Sequence, residues 1–399
     1  MPATHGRQTG WTAVALLAIG AALAGCHAAL PPPAKAPPTI SPMQHLANPP
    51  KAALQAIFVD TGAIGMAAAV VEGDQGDAFG FGQRGAANST PVDPRTLVRL
   101  QSLSKLFTAD LLSADVAAGQ VALTDPLLHY APTGWKAPAG SVASQIELVN
   151  LASHTAGLPR DALDPQTIYA DDAQPARWAW LADPTTKLSP PGKGAQYSNV
   201  GFDFLGDALA RRAGASYGQA LATTITGPLG MADTTPTPSA EQCARMMQGD
   251  PHKPPHPCID QSGEAASGGL YTTASDITLW LRAQLAPNPA GDRRRISQAI
   301  YFPRAKLGFV GGLDHAGKAN GVGLAWIELA PTADHPRVLE KTGGGDGFLT
   351  YVVIDPAERI GVFIAFDNMS GHRLKDVADD ANKLVGQLGG MTPPPPTGR

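Results

Sequence analysis

Apolar and polar positions along the chain divide it into strands, then helices, then strands again. A helix is predicted near Ala52 to Val59, followed by an apolar strand through Gly65 to Val71. Gly73-Asp74-Gln75-Gly76 supplies a turn and Ala78 to Gly82 a returning strand, so this part opens with a hairpin. From Ser102 the period changes. Leu103, Leu106, Phe107, Leu111, Leu112 and Val116 leave few polar faces, which predicts a central helix stopped at Gly119. Residues 141–262 are helical and loop-rich, and Asn199 to Ala213 carries Phe202, Leu205 and Leu209 on one helical face. Strands return at Val322 to Leu329, Arg337 to Thr342, Leu349 to Ile354 and Ile360 to Phe366, separated by Gly and Asp-Pro turns. A last amphipathic helix spans Leu374 to Leu388.

This order implies a discontinuous α/β domain over residues 52–390, with its α/β part at 52–140 and 263–390 and a helical insert at 141–262. The Pro-rich residues 391–399 are expected to be a disordered tail. The 399 residues are 43% hydrophobic and carry a net charge of −4, enough to bury a large core. With no Lys/Arg-rich run, nucleic acid is excluded as an expected partner.

The N-terminus has export features. A short basic segment with His5 and Arg7 precedes an apolar stretch from Trp11 to Ala24, too short to span a bilayer. It ends in Leu23-Ala24-Gly25-Cys26, similar to a bacterial lipobox, so residues 1–25 are expected to be a lipoprotein signal peptide and Cys26 the lipidated residue. Residues 26–51 then form a Pro-rich tether, and His27 points by analogy to the outer membrane. In such an oxidising compartment Cys243 and Cys258 are read as a disulfide around a loop stiffened by Pro251, Pro254, Pro255 and Pro257. Zinc held with His252 and His256 is the alternative, against which stands the lack of C-x-x-C spacing.

Three short motifs carry the candidate chemistry. In Ser102-Leu103-Ser104-Lys105 the serine starts the central helix, where free amides favour a developing negative charge, and the lysine lies one turn on. Held among Leu103, Leu106 and Phe107, Lys105 would lose solvation and become a base near neutral pH, whereas an isolated lysine of this kind usually reaches solvent. Tyr197-Ser198-Asn199 follows a Pro190-Pro191-Gly192 loop and precedes a helix; Tyr197 is a candidate proton relay and Asn199 a candidate helix cap as well as a ligand. Lys341-Thr342-Gly343 ends a strand and runs into Gly344-Gly345-Asp346-Gly347. It offers a cation and a hydroxyl to a carboxylate, and the Gly344 amide to an oxyanion.

Together these motifs resemble the serine acyl-transfer enzymes that react with penicillins. The chain looks like a class C β-lactamase-type penicillin-binding protein, most like the AmpH-type D-alanyl-D-alanine carboxypeptidase/endopeptidases. Further matching stretches are Leu148 to Pro159, Gly227-Pro228-Leu229-Gly230-Met231, Gly268 to Thr273 and Lys341 to Phe348, and the cysteine pair also resembles that branch. The resemblance implies a β-lactamase/transpeptidase-like fold, an antiparallel sheet flanked by helices with an all-helical insert. It implies Ser102 as nucleophile, Lys105 and Tyr197 as the proton-transfer pair, and Asn199, Lys341, Thr342 and Gly343 as substrate-binding residues. The amides of Ser102 and Gly344 become the oxyanion hole. His154 matches a family position and is read as structural. Asp346 replaces a glycine of close relatives and is expected to place a negative charge beside Lys341.

The expected activity is cleavage of D-Ala-D-Ala or cross-bridge peptide bonds in peptidoglycan through an acyl-Ser102 intermediate, without metal or other cofactor. Peptidoglycan peptides and β-lactams are the expected partners, with the membrane reached through the lipid anchor in the periplasm. Alternatives are a class C-like β-lactamase or esterase on the same scaffold, or a non-catalytic peptidoglycan-binding lipoprotein. The sequence gives no signal for an oligomeric state.

Overall fold

Every residue of the strand Gly65–Glu72 except the last is buried, because its sheet is covered on both faces. Alternation along it assigns Met66, Ala68 and Val70 to one core and Ala67, Ala69 and Val71 to another. The computed structural model describes residues 44–162, 173–249, 257–287, 292–367 and 374–392. The signal peptide, Cys26, most of the tether, His252 and His256, and most of the tail therefore lie outside the described residues.

Among the described residues the main sheet has nine strands. Their order is Asn88–Pro91, Gln75–Gly85, Gly65–Glu72, Ile360–Asp367, Phe348–Asp355, Val338–Gly345, Ile327–Leu329, Ala319–Gly323 and Ile300–Pro303. All neighbours are antiparallel. The first strands thus sit beside the last, so N- and C-terminal parts of the chain share one sheet.

Helices Lys51–Thr61 and Leu374–Leu388 cover one face, supplying Leu54, Ile57, Val377, Ala381, Leu384 and Val385. Helices Ser104–Ala117 and Ala274–Leu285 lie in the core on the other face, with Phe107 stacked on Trp280 at 5.1 Å. Each fully buried Val, Leu, Ile or Phe here contributes about 1.5–3 kcal/mol over an exposed one. The central helix buries Asp110 as well, which accepts from Trp280 Nε1 at 2.8 Å and Gln284 Nε2 at 2.5 Å, so its burial leaves no orphan.

Helices Asn199–Ala213 and Leu374–Leu388 match the expected spans. Other expectations change. The first hairpin turns on Gly73 and Asp74 alone, and Gln75 and Gly76 already belong to the returning strand. The single strand expected over Val322 to Leu329 is a tight hairpin of Ala319–Gly323 and Ile327–Leu329. Ala325 turns it at φ 63°, held by its N–H donating to the Ala152 carbonyl at 2.7 Å, so a tertiary contact supplies what no Asn or Asp announces. Short pairs escape the periodicity entirely: Leu97–Arg99 with Tyr271–Thr273, and Ala195–Gln196 with Val310–Gly311.

Candidate active site

Ser102 does not begin the central helix. It sits in a 3₁₀ turn, Gln101–Leu103, and the helix starts at Ser104. Gln101 enters that turn at φ 54°, a left-handed conformation that non-glycine residues adopt at some cost, and its Nε2 donates to the Gly345 carbonyl at 2.9 Å. The turn that carries Ser102 is thereby tied to the strand Val338–Gly345. Gly343 makes the approach close: a Cβ there would lie 2.2 Å from Thr350 Oγ1 and 3.1 Å from the Ser102 amide nitrogen. Thr350 Oγ1 in turn donates to the Leu100 carbonyl at 3.0 Å. Gly344, paired with Leu349, is the next residue along that strand.

Ser102 Oγ lies 2.5 Å from the Tyr197 hydroxyl and 3.4 Å from Lys105 Nζ. Lys105 is fully buried, and its ammonium donates to Asn199 Oδ1 at 2.7 Å and to the Ser267 carbonyl at 2.5 Å. Burial brings its pKa down to about 7, against the opposing pull of Asp203 and Glu264. Beyond the buried Leu103, Leu106 and Phe107 around it, Nζ faces the rings of Tyr197 at 4.9 Å and Phe202 at 5.6 Å. Asn199 does not cap its helix. Ser198 does, its hydroxyl accepting from the Gly201 N–H at 3.0 Å, which releases the Asn199 side chain to hold Lys105 and donate to Asp161 Oδ1 at 2.7 Å.

Three cations face the Tyr197 ring: Lys105 at 4.9 Å, Lys341 at 5.0 Å and the Arg160 guanidinium at 5.0 Å. His154 stacks on the same ring at 4.7 Å. Its Nδ1 accepts from the Ser198 N–H at 3.1 Å, and burial, reinforced by Lys341 and Lys105, holds its pKa well below the usual histidine value. A neutral imidazole in this position orients Tyr197 without adding charge. The loop spacing of His154 gave no hint of this contact.

Lys341 is buried, and desolvation lowers its pKa. Thr342 stands beside it, half-buried, opposite Tyr351. Asp346 is not a bare charge beside Lys341. Its carboxylate is paired with the buried Arg99, whose guanidinium also donates to the Pro257 carbonyl at 2.8 Å and lies 5.3 Å over the Tyr271 ring. Asp346 and Gly347, at φ 50° and 77°, form a two-residue Asp-Gly hairpin turn that closes Gly345 onto Phe348. The cysteines Cys243 and Cys258 form a disulfide, so neither thiolate is available to a metal. Among the described residues no group of three His, Cys, Asp or Glu is placed to hold one.

The structure therefore gathers Ser102, Lys105, Tyr197, Asn199 and Lys341 at one centre, with Gly343 against the Ser102 amide. It adds Arg160, Ser267, Asp203 and Glu264, which the motif reading left out. Asp203 was visible in principle: four residues beyond Asn199 on one helix, it shares that residue's face.

The model of the β-lactamase family matches residues 44–387. The D-alanyl-D-alanine-carboxypeptidase/endopeptidase AmpH of Escherichia coli K12 is 37% identical over 343 residues, covering 84% of this chain and 88% of that protein. Among solved structures, a β-lactamase/D-alanine carboxypeptidase from Yersinia pestis complexed with citrate superposes with a TM-score of 0.78 at 39% identity, covering 84% of this chain and 96% of that one. A class C β-lactamase from Rhodobacter sphaeroides, at 22% identity, TM-score 0.68 and coverages of 85% and 99%, shares the fold.

Proposed function

Because this chain belongs to the β-lactamase family and is a serine hydrolase, we propose that it cleaves the D-Ala-D-Ala or cross-bridge peptide bonds of peptidoglycan through an acyl-Ser102 intermediate. The observation that carries the reading is Ser102 Oγ standing 2.5 Å from the Tyr197 hydroxyl and 3.4 Å from a desolvated lysine, with Lys341 on the same tyrosine ring.

The chemistry follows from that geometry. Ser102 Oγ attacks the substrate carbonyl carbon while its proton passes to the Tyr197–Lys105 pair. The amides of Ser102 and Gly344 receive the oxyanion, Asn199 orients the substrate amide, and Lys341 with Thr342 receives the terminal carboxylate. Collapse of the tetrahedral intermediate breaks the C–N bond, and the held proton goes to the departing amine. Water then hydrolyses the acyl ester. Penicillins, which carry a carboxylate beside a strained amide, enter by the same acylation step. No step calls for a metal or organic cofactor.

We place the enzyme in the periplasm on a lipid anchor at Cys26, a reading supported by the apolar leader and the lipobox-like Leu23-Ala24-Gly25-Cys26. Incubation with a muropeptide ending in D-Ala-D-Ala tests the activity: release of D-alanine or of a cleaved cross-bridge is expected from the wild type and not from Ser102→Ala. Turnover of penicillin or a simple ester with an intact muropeptide would move the assignment to a β-lactamase or an esterase.

A further inference from the structure

A small polar cavity of about 20 Å³ is lined by Asn199, Asp203, Glu264, Ser267, Arg177 and Asp161 among others, and so by both residues whose oxygens hold Lys105 Nζ. Its volume accommodates one water molecule. Asp203 is only 8% exposed, and its Oδ1 has no hydrogen-bond partner within the protein. The other oxygen, Oδ2, stands 4.0 Å from Arg177 Nη1, too far for a hydrogen bond, while Arg177 spends its bidentate contact on Asp207, through Nη2 at 2.9 Å and Nε at 3.2 Å. A buried carboxyl with a free oxygen is costly to retain and is explained by what it faces. Here it shares the cavity with Asn199 and Ser267, the two residues that hold Nζ, and is the strongest charge acting on Lys105.

We propose that Asp203 is a positioning residue that sets the pH at which Lys105 becomes competent to activate Ser102. The inference rests on the reading of Lys105 as the base. Asp203 touches neither Ser102 nor the space in front of it, so it acts through Lys105 alone. A carboxylate there favours the ammonium form and keeps the lysine from losing its proton too early; removing the charge lets the amine form persist at lower pH. Other groups facing Lys105 are Arg160 and Asp161 from the loop after Ala156, Lys341 and Tyr197 in front, and Glu264 from the turn Ser262–Glu264. Those facing Asp203 are Arg177 from the helix Ala173–Ala182, Asp207 on its own helix and the Ser267 hydroxyl. Burial, before any of these, raises the Asp203 pKa to about 6 and that of Glu264 to about 8, so of the two carboxyls Asp203 is the one that carries charge as Lys105 titrates.

The test is the pH profile of Ser102 acylation by a chromogenic β-lactam in Asp203→Asn, Asp203→Glu and Glu264→Gln, beside NMR titration of the Lys105 Cε resonance in each folded protein. The acid limb in Asp203→Asn is expected to move down by about one pH unit. Glu264→Gln, which replaces a carboxyl already neutral there, and Asp203→Glu both leave it near the wild-type position. The Lys105 resonance titrates in step, and KM at the plateau is unchanged. An acid limb and a Lys105 midpoint that stay put in folded Asp203→Asn overturn the proposal. If Asp203→Asn fails to fold, Asp203→Ser, which removes the charge and leaves room for a water, decides in its place. If the wild type is never acylated, the functional reading fails instead, and the NMR midpoints still decide this one.

Discussion

Dryness makes Lys105 useful: the Tyr197 and Phe202 rings take water from its ammonium, and two oxygens fix its direction. With its pKa at about 7, the neutral amine is the minor form below that pH and the dominant one above. The acylation rate is therefore expected to fall about tenfold per unit as pH drops below 7 and to level off above it, read as kcat/KM against pH. In the proposed reaction Lys341 acts at the other end of the substrate. Replacing it with Met should raise KM for carboxylate-bearing substrates at least about tenfold and leave neutral esters nearly untouched, a split visible in parallel steady-state assays. At this scale the motifs showed which residue types meet, since Ser, Lys, Tyr and a second Lys have few other reasons to recur in that order. They did not show the division of labour between Ser198 and Asn199. Both are good N-caps, and only the fold decides that Ser198 bonds the Gly201 amide while Asn199 turns to Lys105.

The strand Val338–Gly345 and the turn before the central helix work as one unit. Gly343 permits the contact and the Gln101 amide ties it. Gly343→Ala is expected to cost about 1–3 kcal/mol of stability through overpacking and to slow acylation disproportionately, because the added methyl meets Thr350 Oγ1 and the Ser102 amide. Thermal denaturation together with acylation rates separates the two effects; an unchanged rate in a folded variant would count against this close approach. Long amphipathic helices were legible because periodicity over fifteen residues is a strong signal, as in Leu374–Leu388. The hairpin at Ala325 was not. Its sequence, Gly323-Leu324-Ala325-Trp326, reads as a continuous apolar strand, and the turn exists because Ala152 holds it from another element.

Across the molecule, the sheet brings Gly65–Glu72 beside Ile360–Asp367, so the two ends of the chain support a site assembled from residues 99 to 348. Strands at both ends of the domain were readable in sequence and implied a discontinuous domain, whereas which strand lies beside which is set by packing that no local pattern carries. The disulfide secures one border of that site. It spans a sequence separation of 15 and ends next to Pro257, whose carbonyl accepts from Arg99, the partner of Asp346. Cys243→Ser is expected to lose about 3 kcal/mol of stability, seen as a lower Tm that reductant no longer changes. For the anchor proposed at Cys26, the wild type should incorporate labelled palmitate and Cys26→Ala should not, and an unlabelled wild type would overturn that assignment.

The central claim is that Ser102 is acylated, and intact mass measurement after brief exposure to a penicillin and acid quench tests it most directly. A single adduct of the mass of the whole penicillin is predicted on the wild type, mapping to Ser102 by peptide analysis and absent from Ser102→Ala. An adduct on another residue, or an unmodified wild type that consumes neither penicillin nor D-Ala-D-Ala peptide, would contradict the account.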